Sequence, residues 1–497
     1  MKKYLYGASV QGIQQFIFQT NELKDIVGAS ELVEHICTQL FKETVGDKWN
    51  DDNCIISAAG NVKYIFDDKA DCEKVVLNFP KEVMTQAPGI TISQAVVEIE
   101  NDFMQAVNEL DKKLHAQRNK VAKSITTGRL GLKRSPQTGL PVVKEEDGEL
   151  LDASSVAKKS YNRTKALCEK NFGEAVKSNS ISHDVSMMTG KNDWIAVIHA
   201  DGNGLGKVVR KIGSNQDDFK QFSHELDKAT RAAANDAFRA IKPEGGWKGI
   251  IPIRPIVLGG DDMTVIIRGD LAIAYVTEFM KQFELHTGEG EMKRILEKAD
   301  MPQLTACAGV AFIKSSYPFY YGYQLAEQLC EAAKKDAKAH NEQLAPSCLM
   351  FHKVQDSFVM KYEEIVEREL EIVYRETEED AKNNRKNSFC FGPYYLNDKQ
   401  LPEGYYTIDE LNTISKEITG EETEGIRTGI RRWLTLMHED EGKAEQRLKR
   451  LKTLNESKHK LIEKLTYHRT VDGKEKQKTF PAYDILAYHT IMNQQTK

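Results

Sequence analysis

Residues 194–207 read WIAVIHADGNGLGK, and residues 257–267 read VLGGDDMTVII. The first stretch is a continuous apolar run that delivers a carboxylate, Asp201, and then passes into Gly202, Gly204 and Gly206 before a helical segment. The second is an apolar run broken by Gly259-Gly260-Asp261-Asp262, the pattern of two strands joined by a tight turn. A strand carrying one carboxylate beside a hairpin tip carrying two more would bring hard oxygen ligands together, and such ligands suit Mg²⁺ or Mn²⁺. A two-metal site holds its ions about 3.5–4 Å apart and needs carboxylates converging from different strands. Asp201, Asp261 and Asp262 are therefore the expected metal ligands, with Asp261 and Asp262 the expected catalytic pair of a nucleotidyl-transfer site. Gly202, Gly204 and Gly206 let backbone N–H groups approach phosphate oxygens near a helix N-terminus. Gly259 and Gly260 leave a tip with no side chain to block a nucleotide. Adjacent strand residues face opposite ways, so Asp261 and Asp262 can share metals only if the turn breaks the pleat.

Working outward, a helix is expected at 219–241, paired strands at 250–267, helices at 271–286 and 291–298, a strand at 304–313 and a helix at 323–340. The first 125 residues repeat that order. A strand at 4–9 precedes a helix at 31–45, two strands at 54–66 turn around Gly60-Asn61, and a helix at 72–86, a strand at 91–99 and a helix at 102–123 follow. In this first copy the hairpin reads Ala58-Ala59-Gly60-Asn61 and the leading strand runs into Ser9-Val10-Gln11-Gly12, so neither place holds a carboxylate. One active and one degenerate unit are expected. The stretch 126–152 is rich in Gly, Pro and charge and reads as an irregular insert, 152–172 as helical and 173–191 as polar linker. From 345 onward the spacing is mostly helical, with a strand expected at 388–396. The expected boundaries are 1–125, 126–190, 191–345 and 346–497.

Composition narrows the function class. The chain has 497 residues, of which 40% are hydrophobic and 29% charged, enough to build several cores. A net charge of −5 argues against a wholly basic nucleic-acid binder. No run of 18 apolar residues suggests a membrane span. Gln11, Gln14 and Gln15 interrupt the N-terminal apolar run, so no signal peptide is expected. Eight cysteines without a C-x-x-C pair fit a reducing cytoplasm, without a disulfide framework or structural zinc. The stretch 443–469 carries nine Lys or Arg against three Glu and reads either as a solvated helix face or as a phosphate-contacting surface. His199 and Cys307 read as packed strand residues.

Several stretches resemble the large polymerase-like subunit of type III CRISPR effector complexes. The opening YGASVQGIQQFIFQTNELKDIVGASELV resembles that family's first palm. HADGNGLGK, GGDD and LTACAGVAFIKSSYPFYYGYQLAEQLCEAAKK resemble its second, and SPQTGLPVV, PSCLMFHKVQDSF and FGPYYL resemble further landmarks. The resemblance implies an α+β fold of two ferredoxin-like palm domains plus a helical C-terminal domain. It implies that GGDD joins ATP into cyclic oligoadenylate messengers, with release of pyrophosphate and a two-metal Mg²⁺ or Mn²⁺ site. Carried over, Asn203 and Gly204 lie by the phosphates and Lys334 contacts phosphate from the helix after the last palm strand. With Gly202, Gly206, Lys207, Gly259 and Gly260 they complete the expected nucleotide-binding set. Larger members begin with an HD nuclease domain and many hold a cysteine zinc site between the palms. Here the chain starts in the first palm and 132–143 lacks cysteine, so neither DNA cleavage nor that zinc is expected. Expected partners are nucleoside triphosphates, then RNA or CRISPR-type protein subunits, or a second copy of the chain, with no membrane. The competing functions are a templated polymerase and a non-catalytic scaffold that binds RNA or protein.

Overall fold

Short apolar stretches in 3–11, 54–66 and 91–99 form four strands, and these pair in one sheet, with 3–11 buried on both faces at its centre. In the computed structural model these are β1 (Lys3–Gln11), β2 (Cys54–Ala58), β3 (Asn61–Phe66) and β4 (Thr91–Ile99), in the antiparallel order β2-β3-β1-β4. The residues described are 2–58, 60–100, 102–120, 131–161, 166–173, 176, 180–181, 184–189, 193–212, 215–356, 361–374, 385–471 and 474–493. Helices α1 (Ile13–Ile17), α2 (Leu23–His35), α3 (Lys69–Gln86) and α4 (Phe103–Arg118) complete the first unit. Asp68 and Asp102 start α3 and α4 by accepting from Ala70 N and Met104 N, so an orphan N–H is satisfied at each helix start. Between the units, β5 (Val142–Glu146) and β6 (Glu149–Asp152) form a hairpin inside the stretch expected to be irregular, and α5 (Ala153–Tyr161) follows. Much of the expected linker 173–191 lies outside the described residues.

The plan then recurs. β7 (Trp194–Asn203), α6 (Leu205–Ile212), α7 (Gln216–Ala240), β8 (Ile253–Gly259), β9 (Asp262–Arg268), α8 (Ala272–Thr287), β10 (Thr305–Lys314) and α9 (Phe319–His340) build a second sheet in the order β8-β9-β7-β10. This is the first unit's order, strand for strand, and both are ferredoxin-like. β11 (Cys348–Lys353) adds in parallel beyond β10, and Tyr394–Tyr395 closes that edge. The helix α9 lies across β10 and β7, as α4 lies across β4 and β1. It approaches β10 closely because Gly309 has no side chain: a Cβ there would fall 1.9 Å from Ala326 O.

The two hairpins agree in detail. Ala58 pairs with Asn61 and Gly259 with Asp262, so each tip holds two residues. The first turn is therefore one residue earlier than the Gly60-Asn61 turn expected from sequence. Pairing shifts between Cys54 and Ile56 and, at the same distance from the tip, between Pro255 and Val257. The units also pack together: Lys220 Nζ on α7 donates to Asp51 O at 2.8 Å, Ser30 Oγ donates to Ile256 O, and Phe103 meets Phe219 edge-on at 6.1 Å.

The C-terminal region holds α10 (Ile408–Glu417), α11 (Glu424–Glu439), α12 (Glu441–Leu454), α13 (His459–Thr466) and α14 (Ala482–Met492). It also holds a four-stranded sheet of Glu371–Val373, Lys386–Ser388, Lys474–Thr479 and Arg469–Val471, which helical spacing did not announce. The strand expected at 388–396 is two short strands belonging to different sheets. Between them, the N–H groups of Phe391 and Gly392 and the Tyr394 hydroxyl donate to the buried Asp484 carboxylate, which pulls the chain out of extended form. Among the described residues no helix is long and apolar enough to cross a membrane.

Candidate active site

The strand β7 does not stop at Ala200. It continues through Asp201 and Gly202 to Asn203, paired with Cys307, Ala306 and Thr305 of β10. Asp201 is thus held inside the sheet rather than on a loop. On the other side, Met263 pairs with Ala200, so the next step of the register sets Asp262 beside Asp201. Asp261 sits in the turn, after Gly260 at φ +64°, so it escapes the strand alternation that would aim it away from Asp262. One oxygen from each of Asp201, Asp261 and Asp262 lies within 4.8 Å of the others, and all three residues are half-buried.

Gly202 makes this convergence sterically feasible. A Cβ there would fall 2.9 Å from Asp261 Cβ and 2.8 Å from Leu205 Cδ1, so the Asp261 side chain occupies the space that a Gly202 side chain would need. Thr230, buried in α7, donates to Gly260 O at 2.5 Å and holds the tip from behind. Burial first, then the neighbouring carboxylates, push the Asp261 carboxyl well above the ordinary range. Burial and Asp201 raise Asp262 to about 6, and Lys334 opposes this. Three carboxylates packed so closely repel, and a divalent cation bound by their oxygens would relieve that repulsion. The all-oxygen donor set fits Mg²⁺ or Mn²⁺.

The residues expected to accompany the carboxylates divide. Lys334 on α9 reaches the site, its ammonium donating to Asp201 Oδ2 and to Gly202 O at 2.9 Å. Burial works against its charge, but Asp201 beside it more than offsets this and its pKa lies above the ordinary value. Gly259 and Gly260 line the cleft with Asp261 and Asp262. Asn203 is buried, its amide donating to Thr305 Oγ1 and Cys307 Sγ, both at 3.2 Å. The Lys207 ammonium donates to the carbonyls of Glu342 and Gln343. Gly204, at φ +89°, lies against Met301, while Gly206 faces open space. His199 is a packed strand residue: its Nδ1 lies 3.1 Å from Thr264 Oγ1, and burial lowers its pKa to about 4.

Sequence reasoning missed Thr230, Tyr323 and Glu327. Glu327, on the same face of α9 as Lys334, places a further negative charge near Asp262. Helical spacing from Lys334 was the one available signal. The first unit forms the opposite wall of the site. A cleft of about 1060 Å³ lies between the two hairpins, with Ser9, Asn61, His115 and Arg118 of the first unit facing Gly259–Asp262.

Residues 194–344 match the family described as Cas10/Cmr2, second palm domain. No curated protein sequence matches the chain. Among solved structures, the chain is similar to an apo Csm1–Csm4 cassette at 12% identity and TM-score 0.57. It is similar to that cassette in complex with pppApA at 14% identity and TM-score 0.56, and in complex with cA4 at 13% and 0.56. Each of these three covers 99% of this chain and 69% of the other. In a cassette bound to AMPPNP, the match covers only 53% of that chain's length.

Proposed function

We propose, on the premise that residues 194–344 are a second palm domain of Cas10/Cmr2 type, that this chain is a metal-dependent nucleotidyltransferase. It joins ATP into cyclic oligoadenylates, releases pyrophosphate and serves antiviral defence signalling. The observation that carries this reading is the convergence of Asp201, Asp261 and Asp262 on the wall of a cleft closed by a second palm, whose own hairpin tip holds no carboxylate. Divalent cations held there would lower the pKa of an attacking 3′-hydroxyl and neutralise triphosphate charge. The chain's own residues do the rest. Lys334 holds Asp201 in place, Thr230 fixes the tip, and the glycines at 259 and 260 let a nucleotide approach the carboxylates. About 1060 Å³ lies at the upper end of small-molecule sites, room enough for nucleotide substrates. The nucleotide complexes of the similar Csm1–Csm4 cassettes support the reading.

The test is incubation of the pure protein with each NTP and Mn²⁺, followed by mass spectrometry of the products. ATP is expected to give pyrophosphate with cyclic or short linear oligoadenylates. Asp261→Ala with Asp262→Ala is expected to abolish them without unfolding the chain, because the residues are half-buried at a hairpin tip. Wild-type turnover by that double variant would refute the site, and a wild type that converts no NTP would leave the scaffold reading in its place.

A further inference from the structure

Gln14 belongs to the opening motif, far from the carboxylates in sequence, yet it reaches the second unit. Its Nε2 on α1 donates to the Tyr323 hydroxyl of α9 at 3.1 Å. Phe18, just past α1, stacks on the Tyr323 ring with centroids 4.9 Å apart and planes at 22°. The His199 ring also meets Tyr323, edge-on at 5.7 Å. His199 precedes Asp201 by two residues on β7 and so shares its strand face. The Tyr323 hydroxyl also lies 3.5 Å from Glu327 Oε1.

On α9, Tyr323, Glu327 and Lys334 are spaced by four and seven residues, which puts all three on one helix face. At one end of that face Lys334 holds Asp201, and at the other Tyr323 sits in the seam with the first unit. The middle of α9 is pressed onto β10 at Gly309, where no side chain intervenes. A rigid helix pinned near its centre carries a displacement of one end to the other.

We propose that Tyr323 is a positioning residue through which the first unit sets the carboxylate site. Gln14 and Phe18 fix Tyr323, Tyr323 fixes the lie of α9 on β7, and α9 sets Lys334 against Asp201. The first unit then contributes more than the far wall of the cleft, because its seating governs the geometry of the metal ligands. This proposal rests on the reading of Asp201, Asp261 and Asp262 as the nucleotidyl-transfer site.

The test compares Tyr323→Phe, which keeps the ring and removes the hydroxyl, with Gln14→Leu and the double variant. With ATP and Mn²⁺, each single change is expected to lower kcat about three- to tenfold with KM unchanged, while Tm falls by no more than about 2 °C, as for the loss of one hydrogen bond in a chain of this size. The double variant is expected to be no slower than Tyr323→Phe, since removal of the hydroxyl already ends its contact with Gln14 as well as that with Glu327. Tyr323→Leu, which also loses the stacked ring, is expected to be slower than Tyr323→Phe. Wild-type kcat in the single variants, or losses that multiply in the double one, would overturn the coupling. Hydrogen exchange supplies a readout without catalysis: amides 330–336 of α9 are expected to exchange faster in Tyr323→Phe and in Gln14→Leu. Unchanged exchange there refutes the proposal even if the wild type makes no product, an outcome that by itself would refute only the nucleotidyl-transfer reading.

Discussion

Asp261 owes its place among the metal-capable oxygens to two glycines rather than to its own strand. Gly260 takes the left-handed conformation that turns the chain, and Gly202 leaves the space that the Asp261 side chain fills. Gly202→Ala is therefore a test of geometry that leaves every carboxylate present. The added methyl would fall 2.9 Å from Asp261 Cβ, which is backbone-proximal and cannot swing aside. Turnover is expected to fall by about tenfold to a hundredfold, as for a reacting group misplaced by a fraction of an ångström to an ångström, and Mn²⁺ titrations should show weaker binding. Undiminished activity would mean that Asp261 does not need this position. The carboxylates were legible in the sequence because chemistry restricts them to Asp at a strand end and a glycine tip. Thr230 was not, since a threonine within a helix carries no mark of the carbonyl it will meet.

At the scale of elements, the two hairpins show how one plan yields two different tips. They share a two-residue tip, the pairing at its base and the position of the bulge. The left-handed glycines stand at different places: Gly260 is the first of its tip pair, whereas Gly60, at φ +79°, is the second of its own and occupies the place that Asp261 has in the other unit. An aspartate at Gly60 would be strained by that φ, and its Cβ would press on Ile13. The register also matches Ser9, opposite Asn61, with Asp201. The first hairpin therefore lacks both the carboxylates and a turn that would seat one. Calorimetric titration with Mn²⁺ is expected to lose the binding signal in Asp201→Ala and to keep it in Asn61→Ala, and the reverse pattern would exchange the roles of the units. The basic stretch 443–469 breaks into α12 and α13, with Leu451, Leu461 and Leu465 buried. Lys458 pairs with Glu422 and Lys464 with Glu417, so acids on other segments neutralise part of that charge.

Across the whole molecule, the insert is bound to the first unit by a buried cation. Lys158 of α5 is 2% exposed, donates to Gln19 Oε1 at 3.0 Å and lies 4.3 Å from the centre of the Phe16 ring. Burial pulls its pKa from the ordinary 10.5 down to about 8, and Asp152 and Asp25 limit the fall. The unfolded chain then binds a proton through about pH 10.5, while the folded chain waits until about pH 8. Stability contributed at this site is thus full above pH 10.5, falls as the pH drops toward 8 and is level below it. The span is about 3 kcal/mol at most. Denaturant unfolding of Lys158→Met is expected to show its greatest gain over wild type at pH 7 and a shrinking gain toward pH 10. A pH-independent difference would show that the ammonium is not desolvated as the fold implies.

By itself the sequence determined the three carboxylates, the doubled strand-helix plan and the absence of carboxylates from the matching hairpin tip and strand end of the first copy. These depend on residue type and on local periodicity, which pleat and helix pitch impose over a few neighbours. Only the tertiary structure decided the rest, because the deciding contacts join distant residues. Lys334 meets Asp201 across 133 positions and Gln14 meets Tyr323 across 309. Two residues assigned to the nucleotide by motif, Asn203 and Lys207, direct their side chains to Thr305, Cys307 and the carbonyls after α9. A side chain's nearest polar partner is set by packing, and packing brings together segments that local spacing treats as unrelated.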